Sequence, residues 1–153
     1  MPDTIVVGVD GSPESLAALR WAAAEARLRS ARLVAVHAWL FAPPPEVGAP
    51  GMFPVPAFDL PGAVEAERDA AETDLEAALA NAFPEGAPVE VERKLVEDDA
   101  GEALVRESQQ ADLVVVGSRG RSGIAAALLG SISKHVVDHA PCPVVVVKAA
   151  EPS

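Results

Sequence analysis

The stretch Leu113-Val-Val-Val-Gly117-Ser-Arg-Gly120, followed nine residues later by Gly130-Ser131-Ile132-Ser133, decides how the chain is read. Leu113 to Val116 is an unbroken apolar run, mostly β-branched, of the kind that suits a parallel strand covered on both faces. Glycines directly after such a strand let backbone N–H groups approach phosphate oxygens and permit tight turns. Gly130-Ser131 then opens a helix, whose N-terminal dipole and free N–H groups favour an anion, and the hydroxyls of Ser131 and Ser133 can add hydrogen bonds. Charge agrees. The chain carries a formal −11, yet from Leu113 to Val137 there is no Asp or Glu, while Arg119, Arg121 and Lys134 are basic. A phosphate site in so acidic a chain needs such a local concentration of positive charge. The pattern is neither the Walker loop G-x-x-x-x-G-K-[ST] nor the dinucleotide fingerprint G-x-G-x-x-G.

Working outward, three more apolar runs read as strands: Ile5-Val6-Val7, Leu33 to Val36, and Val144 to Val147. Val89-Glu90-Val91-Glu92-Arg93 alternates instead, as expected of a half-exposed edge strand. Helical patterns separate them. Ser12-Pro13 supplies an N-cap and first helical position, with Leu16, Leu19, Ala23 and Ala26 on one face. An Ala-, Glu- and Leu-rich stretch runs from about Ala63 to Phe83. Asp99-Ala-Gly-Glu102 reads as a capping box opening a helix to about Gln110. A last helix spans Ser131 to about His139. The order β-α-β-α-β-α-β-α-β predicts an α/β three-layer sandwich around a five-stranded, mainly parallel sheet. Placing the alternating strand at an edge and the first and fourth inside gives strand order 3-2-1-4-5. Ligands in such sheets bind beyond the strand carboxyl ends where the order switches, here between strands one and four. Val9-Asp10-Gly11-Ser12 and Gly117-Ser118-Arg119-Gly120 are expected to meet there.

The 153 residues fit one domain, 1–153, with a core of Val, Leu, Ile and Ala, since only 4% are aromatic. No apolar run is long enough to span a bilayer, and the N-terminus lacks a signal-peptide pattern, so a cytoplasmic protein is expected. The acidity argues against nucleic acid or anionic membrane as partner. Residues 41–62 hold seven of the 14 prolines and three of the four phenylalanines. A connection of this length reads as either an ordered lid or a mobile insertion.

Gly117-x2-Gly120-x9-Gly130-Ser131 resembles the ATP-binding signature of the universal stress protein family. Ile5-Val-Val-Gly-Val-Asp10-Gly-Ser12 and Ala140-Pro-Cys-Pro-Val-Val-Val-Val147 are similar to that family's first and last strands. The resemblance covers essentially the whole chain. It implies a Rossmann-like fold of the adenine nucleotide alpha hydrolase-like kind, an ATP pocket, a homodimer, and a role in stress survival, growth arrest or signalling. By position it implies that Val9 and Asp10 lie near ribose and adenine, and that Ala38 and Val116 contact the base. It also implies that Gly117, Arg119, Gly120, Gly130, Ser131, Ile132 and Ser133 hold ribose and phosphates. The Arg119 position varies within the family.

Asp10, at a strand's C-terminal end, can bind a ribose hydroxyl or a phosphate-bound Mg2+, or simply cap a turn. His135, Asp138, His139 and Cys142 form no closed four-ligand zinc set, and Cys142 reads as a plain buried thiol. The strand Val144–Val147 is apolar throughout at a sheet edge, so dimerisation through it is expected, with Val145→Lys or Val147→Lys yielding monomers. The leading functional expectation is a nucleotide-responsive sensor that binds ATP. A slow ATPase, a cyclic AMP-binding protein and a nucleotide-independent interaction module are the alternatives; no general base stands out to activate water.

Overall fold

A computed structural model describes residues 2–41, 62–119 and 129–149. The elements run β1 (Thr4–Gly8), α1 (Pro13–Arg29), β2 (Arg32–Trp39), α2 (Ala63–Ala82), β3 (Val91–Glu97), α3 (Ala100–Ser108), β4 (Leu113–Gly117), α4 (Ser131–His139) and β5 (Val144–Val147). The five strands form one sheet in the order β3-β2-β1-β4-β5, and every pairing is parallel. The Pro-rich segment expected at 41–62 lies almost wholly outside the described residues. None of the described helices is long and apolar enough to cross a membrane.

Strand alternation divides the core into two layers. Ile5, Val7, Leu33, Ala35, Leu113 and Val115 face one side, where Leu19, Ala22, Ala23 and Ala26 of α1 and Leu75, Ala78 and Leu79 of α2 cover them. Val6, Val34, Val36, Val114 and Val116 face the other side, against Leu104 of α3 and Val136 of α4. Alanine on the inner face of α1 brings its backbone close to the sheet, which is how a core so poor in aromatic residues reaches close packing. Both faces of β1 and β4 are covered, which explains their lack of polar alternation.

The ends of the elements follow local chemistry. Ser12 caps α1, its hydroxyl accepting from the Ser15 N–H, with Pro13 next. Asp99 caps α3 by accepting from the N–H groups of Gly101 and Glu102. Only half of the expected capping box forms. The Asp99 N–H donates to Asp98 Oδ1 at 2.8 Å, while Glu102 reaches across to His135 Nε2 at 3.0 Å. The helix stops at Ser108 rather than Gln110. Gln109, Gln110 and Ala111 continue in tighter turns, donating to the carbonyls three residues back.

The third strand departs most from expectation, running Val91–Glu97 rather than Val89–Arg93. Its middle is the charged run Glu92-Arg93-Lys94, which defeats an apolar/polar reading. Ion pairs hold that run in place: Arg32 to Glu92 at 2.6 Å, Lys94 to Glu107 at 2.9 Å, and Arg93 to Glu76. A charged outer strand of this kind resists edge-to-edge association.

Candidate functional site

Beyond β1 the chain continues through Val9, Asp10 and Gly11 before α1 begins. The Val9 N–H donates to the Val36 carbonyl at 2.9 Å, keeping the first residue after the strand in line with the sheet. Gly11 has φ +81°, which places it in the left-handed region that suits glycine. Around this turn Asp10 Oδ1 accepts from the Ser12 N–H at 2.9 Å and from the Ser12 hydroxyl at 2.5 Å. The Asp10 N–H donates to Ser15 Oγ at 3.0 Å. Asp10 is therefore built into the start of α1 as well as facing the cleft described below. Behind it, His37 is buried, with Nδ1 2.7 Å from the Val9 carbonyl oxygen. A carbonyl oxygen can only accept, so Nδ1 carries the proton.

On the β4 side, Ser118 is buried and ties three elements together. Its N–H donates to the Val147 carbonyl at 2.8 Å, and its carbonyl accepts from the Gly130 N–H at 2.7 Å and the Ser133 hydroxyl at 3.1 Å. Gly130 is the N-cap of α4 and makes no side-chain capping bond. The first helical bond there runs from the Lys134 N–H to the Gly130 carbonyl at 3.0 Å. The N–H groups of Ser131, Ile132 and Ser133 precede it and have no carbonyl within the helix to bond.

Gly117 has a second role that its place in a phosphate-loop pattern hides. A Cβ built there would lie 2.8 Å from the main-chain carbon and the Cβ of Glu14, in the first turn of α1. The glycine is what lets α1 cross the end of β4.

Between these ends lies an open cleft. Val9, Asp10, Ala38, Val116, Gly117, Arg119, Ile132 and Ser133, all expected from sequence, line it. Gly130 and Ser131 are not among its lining residues; they form the N-cap and first residue of α4. Gly120 lies outside the described residues, as does Arg121. Sequence reasoning missed Gly8, Ser15, Val36, Ala100 and Leu104, which also line the cleft. Val36 was legible only as part of the strand run Leu33 to Val36, and Ala100 and Leu104 only as part of the helix that opens at Asp99. The lining is apolar at Val36, Ala38, Leu104, Val116 and Ile132 and polar at Asp10, Ser15, Arg119 and Ser133. A mostly apolar cleft with a few convergent polar groups is the usual make-up of a small-molecule site.

The electrostatics differ from the linear reading. Arg119 Nη2 lies 3.8 Å from Glu14 Oε1. Lys134 is turned to Asp138 at 2.7 Å, and this contact with Lys134 holds the Asp138 carboxyl below its ordinary range. The stretch free of acid in sequence is thus met by carboxylates in space, one of them from α1. No group of three or more His, Cys, Asp or Glu able to hold a metal exists among the described residues. Asp10 lines the cleft with one carboxylate, the kind of group a Mg2+ carried on phosphates would need, since that ion keeps most of its coordination to water and phosphate. His139 Nδ1 lies 2.9 Å from the His135 carbonyl oxygen and the two rings stack at the end of α4. Burial pushes the Cys142 thiol up, which disfavours the reactive thiolate.

Fold and cleft together define a doubly wound α/β domain with its ligand opening at the switch point. The model of the universal stress protein family matches residues 1–148, and the chain belongs to that family. It is 39% identical to a universal stress protein of Mycobacterium tuberculosis, an alignment covering 94% of this chain and 45% of the relative. It is 36% identical to one of Mycolicibacterium smegmatis, with 94% and 45% covered. The chain therefore spans just under half the length of these curated relatives. Among solved structures, the universal stress protein UspA from Lactobacillus plantarum superposes with TM-score 0.71 at 25% identity, covering 95% of this chain and 97% of the other. The universal stress protein from Archaeoglobus fulgidus in complex with dAMP gives 0.63 at 27% identity, with 97% and 100% covered. A universal stress protein in complex with cAMP gives 0.58 at 29% identity, with 97% and 98% covered.

Proposed function

We propose that this chain binds an adenine nucleotide in the switch-point cleft, with ATP and phosphate-bound Mg2+ as the principal ligand, and that it acts as a nucleotide-responsive regulator in stress or growth arrest. The observation that carries this reading is the pairing of apolar lining residues, suited to a purine, with the first-turn N–H groups of α4, which have no carbonyl within the helix to bond and suit a phosphate. The dAMP and cAMP complexes of family members support the adenine part. In this reading Val9, Ala38 and Val116 bracket the base, Asp10 binds a ribose hydroxyl or the phosphate-borne Mg2+, and the polar part of the lining takes the phosphates. Among the described residues the cleft shows none evidently placed to activate water, and binding rather than turnover is the proposed role. Cyclic AMP remains the second reading because of the cAMP-bound relative.

The test is a denaturing extract of the purified chain, analysed by liquid chromatography with mass detection and followed by calorimetric titration. ATP near one equivalent per chain is the expected result. Cyclic AMP in its place would favour the second reading, and an empty extract with no binding to either nucleotide would refute both.

The regulator is proposed to work as a single domain that pairs with a second copy through β5. Val144 to Val147 are all half-buried, and among the described residues no strand pairs with the outer edge of β5. Val145 and Val147 pack on the α1 side and Val144 and Val146 on the α4 side. Lysine at 145 or 147 would thus disturb the protein's own core as well as its edge. The carbonyls of Pro143 and Val147 bond β4. By strand alternation, Val144 and Val146 turn their N–H groups outward. Val146→Pro therefore removes an edge donor while leaving the β4 ladder intact. The expected outcome is a monomer by light scattering with the melting temperature little changed; a persisting dimer would sink the β5 interface.

A further inference from the structure

The one cation lining the cleft among its described residues is not free to act alone. Arg119 stands 3.8 Å from Glu14, within ion-pair range but beyond hydrogen-bonding distance. The Glu14 side chain is 14% exposed and that of Arg119 38%. Glu14 is fixed from behind, because its main chain lies against Gly117 in the first turn of α1. The carboxylate is thus the more buried partner and the long guanidinium arm the more exposed one.

We propose that Glu14 is a specificity-determining residue that competes with ligand phosphate for Arg119 and so sets the phosphate charge the cleft accepts. This rests on the adenine-nucleotide reading above and extends it. A ligand phosphate must draw Arg119 away from Glu14, and the released carboxylate, on the residue next to the cleft-lining Ser15, then adds to the negative charge of Asp10 in the lining. A triphosphate, carrying several negative charges, is repelled more by that carboxylate than a singly charged phosphodiester. Glu14 therefore biases the site towards ligands of low phosphate charge, or towards polyphosphates whose charge a divalent cation has reduced. Nothing in the glycine-loop pattern reports this, because Glu14 is more than a hundred residues away from Arg119 in sequence.

The test compares Glu14→Gln, Arg119→Gln and the double variant of the full chain, titrated calorimetrically with ATP and with cyclic AMP, with and without Mg2+. Glutamine keeps the size of the glutamate side chain and leaves its main chain against Gly117. Glu14→Gln is expected to tighten Mg2+-free ATP roughly tenfold relative to cyclic AMP, with a smaller gain when Mg2+ is present. In the Arg119→Gln background the same change is expected to lose most of that gain, since the competition has no object. An equal effect on both nucleotides, or a gain that persists without Arg119, would overturn the role of Glu14 while leaving the nucleotide site standing. Failure of the unchanged chain to bind either nucleotide would overturn the site itself and this role with it.

Discussion

A Gly117→Val chain is expected to melt about 6–12 °C below the unchanged protein, equivalent to about 3 kcal/mol of lost stability. The cause is geometric. The new Cβ would meet the main-chain carbon and the Cβ of Glu14 at 2.8 Å, and backbone in the first turn of a helix cannot rotate aside as a side-chain tip can. Relief requires α1 to lift from β4, where Leu19, Ala22 and Ala23 are fully buried. Thermal unfolding followed by circular dichroism measures it directly. A variant as stable as the parent would show that α1 can shift at no cost. The result also governs how binding data are read: lost nucleotide affinity in this variant would report a displaced α1, not a missing phosphate contact.

Ala38→Phe is the cleaner probe of the cleft. Ala38 is half-buried near the carboxyl end of β2, beside Val96 of β3 in the ladder, and belongs to the apolar part of the lining. A phenyl ring there fills the space a purine would take and enters a cleft that is already open, so the core is not overpacked. The expected outcome is a loss of adenine-nucleotide affinity of roughly 100-fold, with the melting temperature within a few degrees of the parent's. Unchanged affinity by calorimetric titration would place the base elsewhere. The two variants separate fold from site: one is expected to lose stability first, the other binding alone.

Much of the architecture was legible because each buried strand is a short β-branched run and α1 and α3 begin at recognisable caps, Ser12 and Asp99. Strand order followed from a single inference, that unalternating runs lie inside, and the parallel sheet β3-β2-β1-β4-β5 agrees with it. The bounds of β3 were not legible. Glu92-Arg93-Lys94 form a strand because partners at Arg32, Glu76 and Glu107 hold their charges, and those partners are distant in sequence. The cleft was legible in the same measure. Val9, Asp10, Gly117, Arg119 and Ser133 were read from the glycines, the switch rule and the helix start, whereas Ala38, Val116 and Ile132 were expected only from the family resemblance. Ala100 and Leu104 were not legible as lining residues, because they reach the cleft only through the packing of α3 over the sheet. The local charge was misjudged for a related reason: a window along the chain cannot see Glu14 facing Arg119.

The buried His37 has a consequence for how any ligand is received. Its ring fastens the Val9 carbonyl to β2 just where the main-chain ladder of β1 ends, and the Val9 N–H is held by Val36 from the same strand. Val9 is thus secured through both its polar backbone groups before a ligand arrives. A binding partner entering the cleft meets a rigid floor, so less ordering of the protein opposes association there. Affinity can then come from relatively few contacts, as it does wherever a receptor is shaped in advance of its guest.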